Sequence, residues 1–231
     1  IVLGKTLYNL GGMFAEEGDS VQSRQYFYRA TKVSEARREY NRIAASNLAL
    51  GLQNRSHSVR QAFFYKALRV LEQDTSLVET RLQAWKYLAD DYYKQGNREV
   101  AQQYYQRILN RVSRGDLDLS TPFYNYLLAT AYGRTGEYDR AELAAKTIIE
   151  GAKARNSANG WYAPSATEIL AEIYHLQGKD SLAYLTSKQF AYQLDSLRGA
   201  RAAESARKRV FRLQAEFDSQ RRDQQLTLLQ T

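Results

Sequence analysis

The chain has 231 residues, 44% hydrophobic and 25% charged, with 33 Lys and Arg against 25 Asp and Glu and a formal net charge of +8. That balance fits a soluble, core-forming protein of one or two domains. Cysteine is absent, which excludes disulfides, thiolate nucleophiles and cysteine zinc sites, and no run approaches the ~18–20 apolar residues of a membrane span.

Only two prolines interrupt the chain, and 18 tyrosines outnumber 8 phenylalanines, so helices run long and much aromatic packing carries a polar tip. The opening stretch "IVLGKTLYNLGGMF" has no initiator methionine and no basic segment before an apolar one. It reads as the inside of a helix, and the chain is expected to be a fragment of a longer one. Leu7, Leu10, Gly11, Phe14, Gly18, Ser23, Phe27 and Ala30 follow. A second unit, roughly 41–75, keeps Phe64, Ala67 and Leu68 but has Arg55 where a turn glycine is expected. The third is the clearest, with Trp85, Leu88, Ala89, Tyr92, Gly96, Ala101, Tyr105 and Ile108. About forty residues later come Leu128, Ala129, Tyr132, Gly136, Ala141, Ala145 and Ile148, then Leu170, Ala171, Tyr174, Gly178, Ala183, Ser187 and Phe190.

One spacing recurs through these units. Leu88, Ala89 and Tyr92 share a helix face, and Ala101, Tyr105 and Ile108 make the matching face of a second helix. Between them "EEGD", "KQGN", "RTGE" and "LQGK" put glycine where a helix ends in the left-handed region. Each unit is then an antiparallel helix pair that buries its apolar face by stacking on its neighbours. The longest connections are expected at 113–123 and 151–166. After Leu197-Arg198-Gly199 the pattern gives way to one long helical run, with Val210, Leu213 and Phe217 at heptad spacing.

Over most of residues 4–195 this pattern resembles the tetratricopeptide repeat. The resemblance implies an all-α fold, a right-handed superhelical solenoid of tetratricopeptide helix pairs with a long C-terminal helix. The expected organisation is an array of about five pairs over 1–198, the second degenerate, and a capping or linker helix over 199–231. The glycine spacing of about 40 exceeds the family's typical ~34, so helices or connections are longer. "LQAEFDSQRRDQQLTLL" (213–229) and "YQLDSLRG" (192–199) further resemble the segment joining such arrays to the membrane in bacterial sensor histidine kinases and LuxR-type regulators. That resemblance implies an extracytoplasmic, periplasmic region of an inner-membrane protein. Membrane contact would come only through a missing downstream segment, and the C-terminal helix could form a homodimer. The alternative is a soluble scaffold or adaptor, cytoplasmic or periplasmic, with no output domain.

In such arrays the first helix of each pair lines the inner groove. The family's register places Tyr8, Lys86, Asp90, Tyr93, Phe123, Tyr126, Thr130, Arg134, Glu168, Glu172 and His175 there, an aromatic and mixed-charge surface for a protein or peptide ligand. The clamp by which some relatives hold a chaperone's terminal carboxylates is not expected, since its positions carry Tyr8, Gly12, Gln83 and Tyr87.

Catalytic constellations are lacking. His57 and His175 lie in different units without a ligand motif, and Asp90 and Asp91 as helix neighbours point about 100° apart. "VLGKT" (2–6), similar to the end of a phosphate-binding loop, is absorbed by the first repeat helix. "NRS" (54–56) matches the glycosylation pattern, which carries meaning only in a eukaryotic secretory setting. No enzyme, metal or cofactor is expected. Nucleic acid ranks last among partners, because acids are interspersed among the tail's bases and Phe211 and Phe217 alone could stack.

Overall fold

The computed structural model describes residues 2–154 and 162–196, with Gly199. Among these residues the secondary structure is entirely helical. The elements are α1 (Val2–Glu16), α2 (Ser20–Ala36), α3 (Tyr40–Leu52), α4 (His57–Leu71), α5 (Val78–Lys94), α6 (Arg98–Val112), α7 (Pro122–Thr135), α8 (Tyr138–Ala154) and α9 (Tyr162–Leu176). A further helix, α10, spans 180–196. The chain is an all-α helical-repeat solenoid. It divides into two compact units, Ile1–Ala141 and Glu142–Thr231.

The turn inside each regular pair is one device used four times. Gly18, Gly96, Gly136 and Gly178 all have φ between 71° and 90°, the region closed to most side chains. The next residue's N–H then bonds back to the carbonyl of the helix aromatic: Asp19 to Phe14 at 2.9 Å, Asn97 to Tyr92 at 3.0 Å, Glu137 to Tyr132 at 2.9 Å and Lys179 to Tyr174 at 2.8 Å. This closure satisfies carbonyls that the helix end leaves open. In two cases the same residue starts the following helix. Asp19 accepts from the Val21 and Gln22 N–H groups, and Asn97 accepts from Val100.

The connection between α2 and α3 copies that closure without glycine. Glu39 N–H bonds to the Ser34 carbonyl at 3.0 Å, and the left-handed position is Arg38, at φ 55°. An exposed arginine in that conformation stores roughly 1 kcal/mol of strain. Arg38→Gly is therefore expected to stabilise the protein by about 0.5–1 kcal/mol, read as a higher urea midpoint. A lowered midpoint would show that the arginine stem contributes more than the strain costs.

The second pair departs from the pattern in register. Gly51 faces Phe64, as Gly11 faces Phe27, but three fewer residues separate the second couple. The difference lies in the helix, since α3 ends at Leu52, one residue after Gly51, whereas α1 runs five residues past Gly11; the α3–α4 turn has no left-handed residue. Asn54 Nδ2 donates to the Leu50 carbonyl at 2.7 Å, and Arg60 Nη1 donates to the carbonyls of Asn54 and Arg55 at 3.1 and 3.3 Å. Side chains thus replace the glycine closure, so Arg55 does not mark a broken pair.

In the first unit α1 packs on α2, α3 on α4 and α5 on α6; the first helices α1, α3 and α5 also lie side by side. The core runs along Phe27, Ala44, Phe64, Leu82, Leu88, Tyr105, Ile108 and Leu127, all essentially inaccessible. The long connection holds as expected, with α6 ending at Val112 and α7 starting at Pro122. The second expected loop, 151–166, is shorter, because α8 continues through Gly151 to Ala154 and α9 begins at Tyr162. Pro164 fits there since a first-turn N–H has no helical partner to lose. The expected helix over 199–231 lies outside the described residues, apart from Gly199.

Candidate functional site: the inner face of the first helices

Lys86, on α5, is the centre of the site. Its side chain is buried, its Nζ lies 2.6 Å from Asp90 Oδ2 one turn on, and it sits over the ring of Tyr126 at 4.7 Å. Burial opposes its charge, but the Asp90 carboxylate and Tyr126 more than offset this, and its pKa is raised. Asp90 is shared, because Tyr105 of α6 donates its hydroxyl to Oδ1 at 2.7 Å. Arg134 of α7 lies over Tyr93 at 4.1 Å and also bonds Tyr105. Lys86, Asp90, Tyr93, Tyr126 and Arg134 are thus gathered into one network.

Tyr8 extends this surface to α1. It packs against Phe27 with ring centroids 5.3 Å apart, it lies within electrostatic reach of Arg42 on α3, and it influences Tyr87 on α5. Tyr87 is itself under Lys86 at 6.0 Å and accepts from Gln83 Nε2 at 3.0 Å. Tyrosines from α1, α5 and α7 therefore share one face. Tyr87 and Tyr105 belong to the site although sequence assigned Tyr105 to packing alone and Tyr87 to a missing clamp.

Phe123 and Thr130 are placed differently. Phe123 packs edge-on to Tyr124 at 5.2 Å, against the core. Thr130 is buried, and its hydroxyl donates to the Tyr126 carbonyl at 2.9 Å. In the second unit Glu168, Glu172 and His175 line a cleft of about 560 Å³ between α9 and α10, with Asp180 3.4 Å from His175 Nδ1. These three residues come together with one another.

Asp91, next to Asp90, points elsewhere and ties the second pair to the third. Only 4% of its side chain is exposed. Arg60 Nε donates to Oδ1 at 2.6 Å, Gln61 and Gln95 donate to Oδ2 at 3.0 and 2.9 Å, and His57 Nδ1 lies 2.9 Å from Oδ1. The two carboxylates serve separate networks. Among the described residues no group of three or more His, Cys, Asp or Glu is arranged to hold a metal. No described helix is long and apolar enough to cross a membrane.

Several tyrosines are held in their neutral form. Burial, then Asp90, pushes Tyr105 far up; burial raises Tyr8 and Tyr87; and the hydrogen bond with Tyr65, then burial, pushes Tyr92 up to about 12. A folded pKa above the unfolded one gives stability that is complete below the ordinary tyrosine value of 10.0 and is lost as pH rises through the folded values. The expected result is a phenolate absorbance titration in two parts, with one set of tyrosines ionising only as helical circular dichroism collapses. A single smooth titration of all tyrosines in a still-helical protein would contradict this.

Residues 80–154, spanning α5 to α8, match a family described as Tetratricopeptide repeat. No curated protein matches the chain. Among solved structures, BtubC (BKLC) from P. vanneervenii superimposes with a TM-score of 0.56 at 16% identity, over 85% of this chain and 83% of that one. Two structures of nearly identical TPR-like repeats from Podosopora anserina give TM-scores of 0.47 and 0.46, at 15% and 16% identity, each over 84% of this chain and 95% of that one. Repeats of this kind generally serve as non-enzymatic modules for protein interaction. Residues 80–154 thus match tetratricopeptide repeats by sequence, and the chain around them has the fold of an all-α helical-repeat solenoid.

Proposed function

We propose that the inner face of the first unit binds an extended segment of a partner protein. The observation that carries this reading is the network around Lys86, which sets tyrosine rings and both signs of charge on α1, α5 and α7 along one face. Tyrosine gives large contact area at low rotamer cost, while Asp90 and Arg134 orient a peptide's polar groups. Peptides selected from a random library on this chain should lose affinity by about tenfold or more when Tyr93 and Tyr126 are both replaced by alanine. Failure of the library to enrich, or equal affinity for the variant, would overturn the reading.

The finer proposal is that this array is the extracytoplasmic sensing region of a bacterial membrane signalling protein, supported by the linker-like sequences at 192–199 and 213–229. Binding would shift two arrangements of the C-terminal residues, by self-association or relay, to the extent of its differential affinity for them. Deleting 200–231 from the intact protein should abolish the response to the partner while leaving peptide binding intact. An unchanged response would leave a soluble scaffold.

A further inference from the structure

A basic cleft of the first unit lies between the first half of α5 and the last half of α6. It encloses about 420 Å³ and is lined by Arg81, Trp85, Arg107, Asn110, Arg111 and Arg114. Leu82 and Val78 give it an apolar floor beside the indole of Trp85.

The arginines are unequally neutralised. Arg111 is bound at both Nη atoms by Asp116, at 2.5 and 3.0 Å, which holds that carboxyl below the usual range. Arg81 is held by the backbone carbonyls of Leu71, Asp74 and Thr75, which orient a guanidinium without cancelling its charge. The nearby Asp74 carboxyl is occupied by the N–H and hydroxyl of Ser76. Arg107 lies over Tyr104 at 5.0 Å, and among the described residues neither it nor Arg114 has a carboxylate within ion-pair distance. Glu79, also on α5, accepts from Tyr124 at 3.2 Å. Asp74 and Asp116 lie within electrostatic reach of Arg81 and Arg114, but among the described residues none of the Arg81, Arg107 and Arg114 guanidinium groups has a carboxylate at ion-pair distance.

We propose that this cleft binds a small phosphate monoester with a flat apolar body. A phosphate monoester carries close to two negative charges at neutral pH, and its oxygens match the planar donor forks of arginine. Arg81, pre-oriented by three carbonyls, and Arg107 and Arg114, at the open side, would hold the phosphate. The amide N–H groups of Asn110, whose Oδ1 already accepts from Gln106, supply a neutral donor. Trp85 and Val78 would cover the body. The volume falls in the lower part of the range for small-molecule sites, about 300–1,000 Å³.

The test is calorimetric titration of the full chain with phenyl phosphate, inorganic phosphate and phenol at low salt. Phenyl phosphate should bind saturably, more tightly than either fragment, and weaken steeply with added salt. Arg107→Gln with Arg114→Gln, both at exposed positions, should reduce the affinity by about tenfold or more with thermal unfolding unchanged. Absence of saturable binding, phenol binding as well as phenyl phosphate, or an unaffected double variant would each overturn the proposal.

Discussion

Asp91→Ala should destabilise the first unit by about 3–5 kcal/mol, because it leaves the largely buried guanidinium of Arg60 without its counter-charge. The carboxylate is met from α4 by Arg60, Gln61 and His57 and from the cap of its own helix by Gln95, so four partners lose their acceptor at once. Arg60 has a second task, capping the carbonyls of Asn54 and Arg55 in a turn that lacks glycine. Its displacement would loosen the α3–α4 turn as well as the contact between the second and third pairs. Hydrogen exchange should therefore accelerate in α3 and α4 before α6. Asp91→Asn, which keeps one acceptor oxygen, should cost distinctly less. A variant Asp91→Ala within 1 kcal/mol of the parent would show that Arg60 is already solvated well enough to need no partner.

Phe64→Ala is expected to cost about 3–5 kcal/mol, the usual range for emptying an aromatic site in a close-packed core. Phe64 is 1% exposed and fills the space that Gly51 leaves open. A β-carbon at Gly51 would come within 2.4 Å of Phe64 Cε1 and 2.8 Å of Cδ1. In the parent protein Gly51→Ala should thus destabilise through overpacking, by about 1–3 kcal/mol, despite alanine's better helix propensity. In the Phe64→Ala background the same change meets empty space and should become neutral or stabilising. That reversal of sign is measurable by urea unfolding of the four proteins in a double-mutant cycle. Additive effects would show that the two residues do not share the space between α3 and α4.

The helix pairs were legible because their signals are local. Small residues, aromatics and turn glycines recur at one spacing, and each glycine closure involves residues only five apart, such as Tyr92 and Asn97. The α2–α3 turn was not legible, since Arg38 gives no sign of adopting the geometry of Gly96. Nor was the register of the second pair, where α3 ends one residue after Gly51 and the small residue against Phe64 is therefore Gly51. Part of the site followed from helical phase: Lys86, Asp90, Tyr93, Tyr126 and Arg134 do converge. Thr130 follows the same phase, but its hydroxyl is spent on its own helix. Phase says which way a residue faces, not what occupies its polar atoms. The Asp91–Arg60 tie and the arginine cleft stayed hidden for the same reason, because the residues that meet there come from different elements.

The central claim, that a partner segment lies along the first helices of the first unit, can be tested with site-specific probes because the chain has no cysteine. Gly12 is one turn beyond Tyr8 on α1, and a side chain there meets nothing within 4 Å. A fluorophore on Gly12→Cys would report from the inner face, and one on Lys66→Cys from an exposed position of the second helix α4. Titration with a library-selected peptide should change the emission at position 12 and leave position 66 unaffected. A change confined to position 66 would place the partner on the outer helices and contradict the account.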